Sequence, residues 1–93
     1  SKFGHVSGSW RGKKPIQRNA ILALAHFKEE SAMPDIIQVL QKDERPVLRG
    51  TAAWAIGKIG TNEAEGILLA AKKTEQDEEV LAEIEKGLAL LNQ

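Results

Sequence analysis

The sequence predicts an all-α fold, a short right-handed α-solenoid of stacked helical hairpins with about five helices. Three observations carry that expectation. The apolar residues are mostly Ala, Ile and Leu, with Phe3, Trp10, Phe27 and Trp54 the only aromatics, a composition that favours helices over strands. Apolar positions recur at helical spacing through several segments. The pattern of the first segment then returns twice, each time 32 residues further on. With 93 residues the chain makes one small domain with a modest core.

Residues 1–13 hold Gly4, Gly8 and Gly12 among Ser7, Ser9 and His5 without periodicity, so they read as an irregular basic lead-in. The repeat domain follows as residues 14–93. Pro15 fits the first turn of a helix near 14–27, whose inward face is expected to be Ile16, Ala20, Ala23, Leu24 and Phe27. A second helix near 32–42 opens on Pro34 and Asp35 and places Met33, Ile36, Ile37 and Leu40 on one side. Pro46 starts a third near 46–59, and Gly60 stops it. Thr61 or Asn62 is positioned to cap a fourth near 62–73, with Ala64, Ile67, Leu68 and Ala71 inward. The fifth, near 78–91, carries Val80, Ile84, Gly87, Leu88 and Leu91.

Laid over one another, the first, third and fifth helices align without a gap. Ile16, Leu48 and Val80 correspond, as do Ala20, Ala52 and Ile84; Ala23, Ala55 and Gly87; Leu24, Ile56 and Leu88; Ala25, Gly57 and Ala89; and Phe27, Ile59 and Leu91. The second and fourth align at a step of 31. Such a period marks a solenoid in which each hairpin buries its apolar face on its neighbours. Small residues at Ala20, Ala23, Ala52, Ala55 and Gly87 let the helices approach closely. The chain has no tyrosine and no Thr-Pro-Leu-His, which excludes tetratricopeptide and ankyrin repeats. Leu48 to Gly60, read as Leu-Arg-Gly-Thr-Ala-Ala-Trp-Ala-Ile-Gly-Lys-Ile-Gly, resembles the second helix of a HEAT repeat. Five helices make two and a half such repeats, so a further helix or domain is expected before Lys14.

Composition removes several classes of function. There is no cysteine, hence no disulfide and no cysteine-ligated zinc or iron–sulfur cluster in this chain. No apolar run approaches the roughly 20 residues of a membrane span, and no signal-peptide pattern opens the chain, so the expected location is cytoplasmic. Gly8 to Lys14 ends in Gly-Lys-Lys but lacks the leading glycine and the Ser or Thr of a phosphate-binding loop. His26 with Glu29 or Glu30 offers two metal ligands without a third. Glu75 to Glu79 lacks the alternation of a calcium loop and reads as a solvated acidic turn. No serine has a recognisable base partner, and no catalytic residue is assigned.

The formal net charge of zero conceals a split. The first 28 residues carry six bases and no acid, leaving seven bases and thirteen acids for the rest. Arg11, Lys13 and Lys14 precede a helix N-terminus, where free backbone N–H groups add to their attraction for phosphate, and Arg18 and Asn19 follow in its first turns. Trp10 beside them is equally suited to stack on a nucleobase or to plug the first helix. Trp54 reads as core or inter-helix packing, with Trp54→Ala costing roughly 3 to 5 kcal/mol.

Trp10 to Ala25, which begins Trp-Arg-Gly and continues through Arg18-Asn19-Ala20 into the helices, resembles the C-terminal region of the bacterial epoxyqueuosine reductases. The specific part is Trp10 to Ala20. The resemblance implies a cytoplasmic oxidoreductase that uses cobalamin and two 4Fe–4S clusters to remove the epoxide oxygen of epoxyqueuosine at the tRNA wobble position, the final step of queuosine synthesis. Cluster cysteines and cobalamin pocket would lie in an N-terminal catalytic domain, upstream of the region seen here. On that implication this chain is a non-catalytic module that docks the tRNA anticodon region through Trp10, Arg11, Lys13, Lys14, Arg18 and Asn19, with no cofactor of its own. The other reading of the same residues is a HEAT-repeat scaffold for protein–protein interaction with no nucleic-acid role.

Overall fold

The computed structural model describes residues 16–92. They form five α-helices: α1 (Arg18–His26), α2 (Met33–Lys42), α3 (Pro46–Ile59), α4 (Ala64–Thr74) and α5 (Glu78–Leu91), with a single 3₁₀ turn, Glu30–Ala32, leading into α2. Helices α1, α3 and α5 lie side by side in one layer; α2 and α4 form the other. The middle helix, α3, touches all four others, most extensively α5. That position explains its sequence. Leu48, Ala52, Ala53, Ala55, Ile56, Gly57 and Ile59 are all buried, so α3 is apolar nearly all round, whereas its flanking equivalents bury one stripe each.

The helix starts follow from local chemistry. Pro34 and Pro46 occupy the first turns of α2 and α3, where a missing N–H costs nothing. Asp77 caps α5 by accepting hydrogen bonds from the backbone N–H groups of Glu79 and Val80. Gly60 ends α3 in the left-handed region at φ 68°, as its lack of a Cβ allows. At the equivalent end of α1 the left-handed residue is Lys28, at φ 51°. The N–H of Lys28 donates to the Ala25 carbonyl and that of Glu29 to the Leu24 carbonyl, the paired bonds of a Schellman cap.

Three expectations are corrected. The first helix begins at Arg18 rather than near Lys14, because Gln17 is extended (φ −91°, ψ 157°) and acts as its N-cap. α3 is held at its entry by Asp43, which accepts from the Arg45 N–H, and α5 by Asp77. The expected placement of Lys14 and Pro15 lies outside the described residues. The face of the first helix is corrected in part. Ile16 and Leu24 are buried as expected, Ile21 and Ala25 are buried in addition, Ala20 and Ala23 are half-buried, and Phe27 is 63% exposed. Finally, α4 starts at Ala64 with Glu63 as N-cap and no side-chain cap bond. Thr61 contributes its carbonyl to the Ala64 N–H, not its hydroxyl.

The remaining inward residues fall as the periodicity predicts. Met33, Ile36 and Leu40 are buried with Val39 added; Ala64 and Leu68 are buried in α4; Val80, Ile84 and Gly87 are buried in α5. The α3–α5 crossing is at glycine. A Cβ placed on Gly57 would lie 2.6 Å from the Gly87 carbonyl carbon and closer still to its Cα and oxygen.

Candidate functional site

Of the six residues proposed from the sequence, Trp10, Arg11, Lys13 and Lys14 lie outside the described residues. Arg18 and Asn19 are both exposed, at the start of α1. No side chain caps that helix and no acidic residue lies in its first turn, so its N-terminal N–H groups carry partial positive charge with no carboxylate of their own helix to offset it.

Arg18 lines a groove of about 400 Å³ that runs across α1, α3 and α5. The 32-residue repeat builds it. Leu22, Trp54 and Lys86 are equivalent positions and all three line it. Trp54 is half-buried and packs against the core, with its remaining surface in the groove. It is therefore an inter-helix residue, as expected, but also a floor residue. Val47, 60% exposed, extends the apolar strip. Glu79 and Glu83 form the far wall, where Glu83 accepts a hydrogen bond from Lys86 Nζ at 3.1 Å. The groove is cationic at the α1 end and mixed at the α5 end, in line with the charge split along the chain.

A second site lies beside the first turn of α3 and was missed. Glu75, read above as part of a solvated turn, is clamped by Arg49. The guanidinium donates from Nε to Glu75 Oε1 at 3.0 Å and from Nη2 to Oε2 at 3.1 Å, while Nη1 reaches the Asp43 carbonyl at 2.9 Å. The Glu75 side chain is only 10% exposed. The Arg49 hydrogen bonds hold the Glu75 carboxyl below the usual carboxylate range against the opposing effect of burial, and Arg45 does the same for Asp43. The clue was present: Asp43 and Glu75 are 32 residues apart, equivalent turns of successive repeats, and Arg49 follows at the arginine of the HEAT-like pattern. The clamp ties two repeats together. Among the described residues no three His, Cys, Asp or Glu side chains are grouped to hold a metal; His26 packs edge-on against Phe27, ring centroids 5.1 Å apart.

Two layers of repeating hairpins, a left-handed stop after the central helix and an arginine clamp between repeats define a helical-repeat protein. The chain belongs to the HEAT-repeat family, whose model matches residues 11–89. Within it the similarity is to the epoxyqueuosine reductases. The chain is 67% identical over 90 residues to the epoxyqueuosine reductase of Bacillus subtilis (strain 168), covering 97% of this chain and 23% of that protein. It is 64% identical over 92 residues to that of Bacillus cereus, covering 99% and 24%. The crystal structure of an epoxyqueuosine reductase with an epoxyqueuosine-modified tRNA-Tyr stem loop superimposes with a TM-score of 0.80 at 65% identity, over 99% of this chain and 24% of that one. The chain thus spans about a quarter of the length of these relatives. No helix among the described residues is long and apolar enough to cross a membrane.

Proposed function

We propose that this chain is the C-terminal HEAT-repeat module of an epoxyqueuosine reductase and helps dock tRNA, near its anticodon, for the last step of queuosine synthesis. The supporting observation is its 65% identity, over 99% of its length, to a reductase solved with a tRNA stem loop. The module itself is non-catalytic. In this reading the epoxide oxygen is removed in the cytoplasm by the N-terminal catalytic domain, with two 4Fe–4S clusters and cobalamin. This chain has no cysteine and so supplies no thiolate for a cluster. Its contribution is positional. Arg18 at the mouth of the groove pairs with backbone phosphate, Asn19 donates beside it, and Arg11, Lys13 and Lys14 extend the cationic track, with Trp10 available to stack on an unpaired base.

The test is titration of the chain with an anticodon stem loop across a salt series. Four phosphate contacts, from Arg11, Lys13, Lys14 and Arg18, give log K against log salt a slope of about −3, at roughly −0.7 per contact. Arg18→Glu should weaken binding and flatten the slope. Binding that is undetectable at low salt, or unaffected by reversal of all four charges, sinks the proposal. A protein-binding scaffold is the second reading, favoured by Glu79, Glu83 and exposed Val47 along the groove, which suit a basic, apolar peptide better than phosphate.

A further inference from the structure

Leu22, Trp54 and Lys86 stand at one level of the repeat, with Arg18 and Gly50 one turn before it, so the groove across α1, α3 and α5 is a small grid. Along each helix, Arg18 and Leu22, Gly50 and Trp54, and Glu79 and Glu83 are four residues apart and share a face. The three helices contribute different chemistry. α1 supplies a guanidinium at the rim, α3 a half-buried indole packed on the core, and α5 two carboxylates. Glu83 is the better fixed of the two. Its stem lies over Gly50, where a Cβ would stand 3.1 Å from Glu83 Cγ, and Lys86 Nζ donates to its Oε2 at 3.1 Å. Its side chain is 32% exposed, against 64% for Lys86. A glycine inside a helix weakens that helix; here the missing side chain leaves room for Glu83 against α3.

Carboxylates facing a cation do not suit a strand of phosphates laid along the groove, but they suit a base projecting from one. We propose that the groove is a subsite for a single unpaired nucleobase of the docked RNA, guanine by preference. Arg18 pairs with the phosphate at the α1 rim, the base rests on the Trp54 indole, and Glu83 accepts from the base edge. This rests on the reading of the chain as a tRNA-docking module. A volume of about 400 Å³ is of small-ligand size, enough for one base with its phosphate and far short of a duplex. Phosphate contacts position a strand, while unpaired bases are read by stacking and at their Watson–Crick edges. An ionised carboxylate only accepts, and its capacity is not used up by one bond from Lys86. Guanine meets it with two adjacent donors, N1–H and the 2-amino group. Adenine and cytosine set a ring acceptor beside the amino group, and uracil flanks its N–H with two carbonyls, so each turns a lone pair on Glu83. The division of charge also sets direction: the backbone stays on the α1 side, and Glu79 and Glu83 repel it from α5.

The test uses the whole chain labelled with 5-fluorotryptophan and RNA hairpins of one stem, their uridine loops carrying a single guanine moved through each position. Inosine or adenine then replaces guanine at the best position. The Trp54 fluorine resonance, distinguished from that of Trp10 by Trp10→Phe, should shift on binding the guanine loop. Guanine should bind about tenfold or more tightly than adenine, with inosine, which lacks the 2-amino group, between them. Glu83→Gln should abolish that preference while the all-uridine loop binds as tightly or more so, since a repelling charge is gone. Glu79→Gln removes the same charge from the same wall and should strengthen every loop while keeping the preference. Equal affinity for guanine, inosine and adenine at every position overturns the subsite alone, provided the hairpins bind; so does an equal loss for all loops in Glu83→Gln. Hairpins that fail to bind even at low salt overturn the tRNA reading and the subsite with it. A Trp54 resonance that moves with a lysine- and leucine-rich peptide and not with RNA gives the groove to protein binding and overturns the subsite.

Discussion

Gly57→Ala places one methyl group where α3 meets α5. Its Cβ would stand 2.6 Å from the Gly87 carbonyl carbon, and carbon atoms pack at about 3.5–4.0 Å, so the two helices must part by roughly 1 Å. Neither neighbour yields by rotating, since the obstruction is backbone. A gap of that size forfeits a quarter to a half of the dispersion energy across the interface, here the most extensive helix pair in the fold. Overpacking of this kind costs about 1–3 kcal/mol and occasionally more, against a gain of about 0.8–1 kcal/mol from replacing a mid-helix glycine by alanine. The larger value is expected here because backbone meets backbone, giving a net loss of about 2 kcal/mol and a fall in Tm of roughly 8–16 °C for a domain of this size. Gly66, in the first turn of α4 with nothing within 4 Å of where a Cβ would stand, is the control, and Gly66→Ala should raise stability by about 0.5–1 kcal/mol. Urea unfolding followed by far-ultraviolet circular dichroism measures both. A Gly57→Ala protein as stable as its parent would refute the close approach, and equal signs for the two substitutions would show that helix propensity alone governs both sites.

Three further outcomes follow from the same geometry. Lys28→Gly removes an L-residue from the left-handed region and should stabilise by about 1 kcal/mol, less any entropy gained by the unfolded chain; an unchanged or lower Tm counts against the Schellman geometry at that turn. Arg49→Met strips a largely buried Glu75 of both its bonds to the guanidinium, leaving the Asp77 N–H as a donor, and should cost about 1–3 kcal/mol by urea unfolding. Because the folded-state pKa values of Glu75 and Asp43 are depressed, their contribution is complete above the unfolded carboxylate range and is lost as pH falls through the folded values. Parent stability should therefore drop on acidification below about pH 4.5, and the drop should be shallower in Arg49→Met; parallel profiles would show the clamp to be inert. Trp54→Ala should cost about 2–3 kcal/mol rather than the loss of a fully buried ring, since one side of the indole already faces the groove, and a loss below about 1 kcal/mol would place Trp54 on the surface.

The architecture was legible because a repeat states it several times. The 32-residue step paired α1, α3 and α5 correctly, and the bounds of α3 and α5 followed from Pro46, Gly60 and the acidic turn before Glu78. The same device misled at the edge. Equating Phe27 with Ile59 assumes that both have a helix on either side, which holds for α3 and not for α1 among the described residues. Ile21, fully buried, was passed over because its counterparts are Ala53 and the charged Glu85. Glu75 was misread for another reason: its partner Arg49 is 26 residues away, beyond any local charge pattern. For the candidate site, the sequence placed Arg18 and Asn19 at a helix start, where the structure shows both exposed. The groove beside them was not legible, since it depends on the lateral alignment of Leu22, Trp54 and Lys86 across three helices.

The place of α3 has a temporal consequence. A helix in contact with every other described helix cannot release its backbone amides by the fraying of one end; the amides of its central turn, around Ala53 to Gly57, exchange with solvent only when the helices around it open together. Those of α1 and of the last turn of α5 are free to open earlier. The chain therefore has a slow centre and two faster ends, and any partner seated on α1 would lengthen the lifetime of the nearer end while leaving the slowest amides as they were.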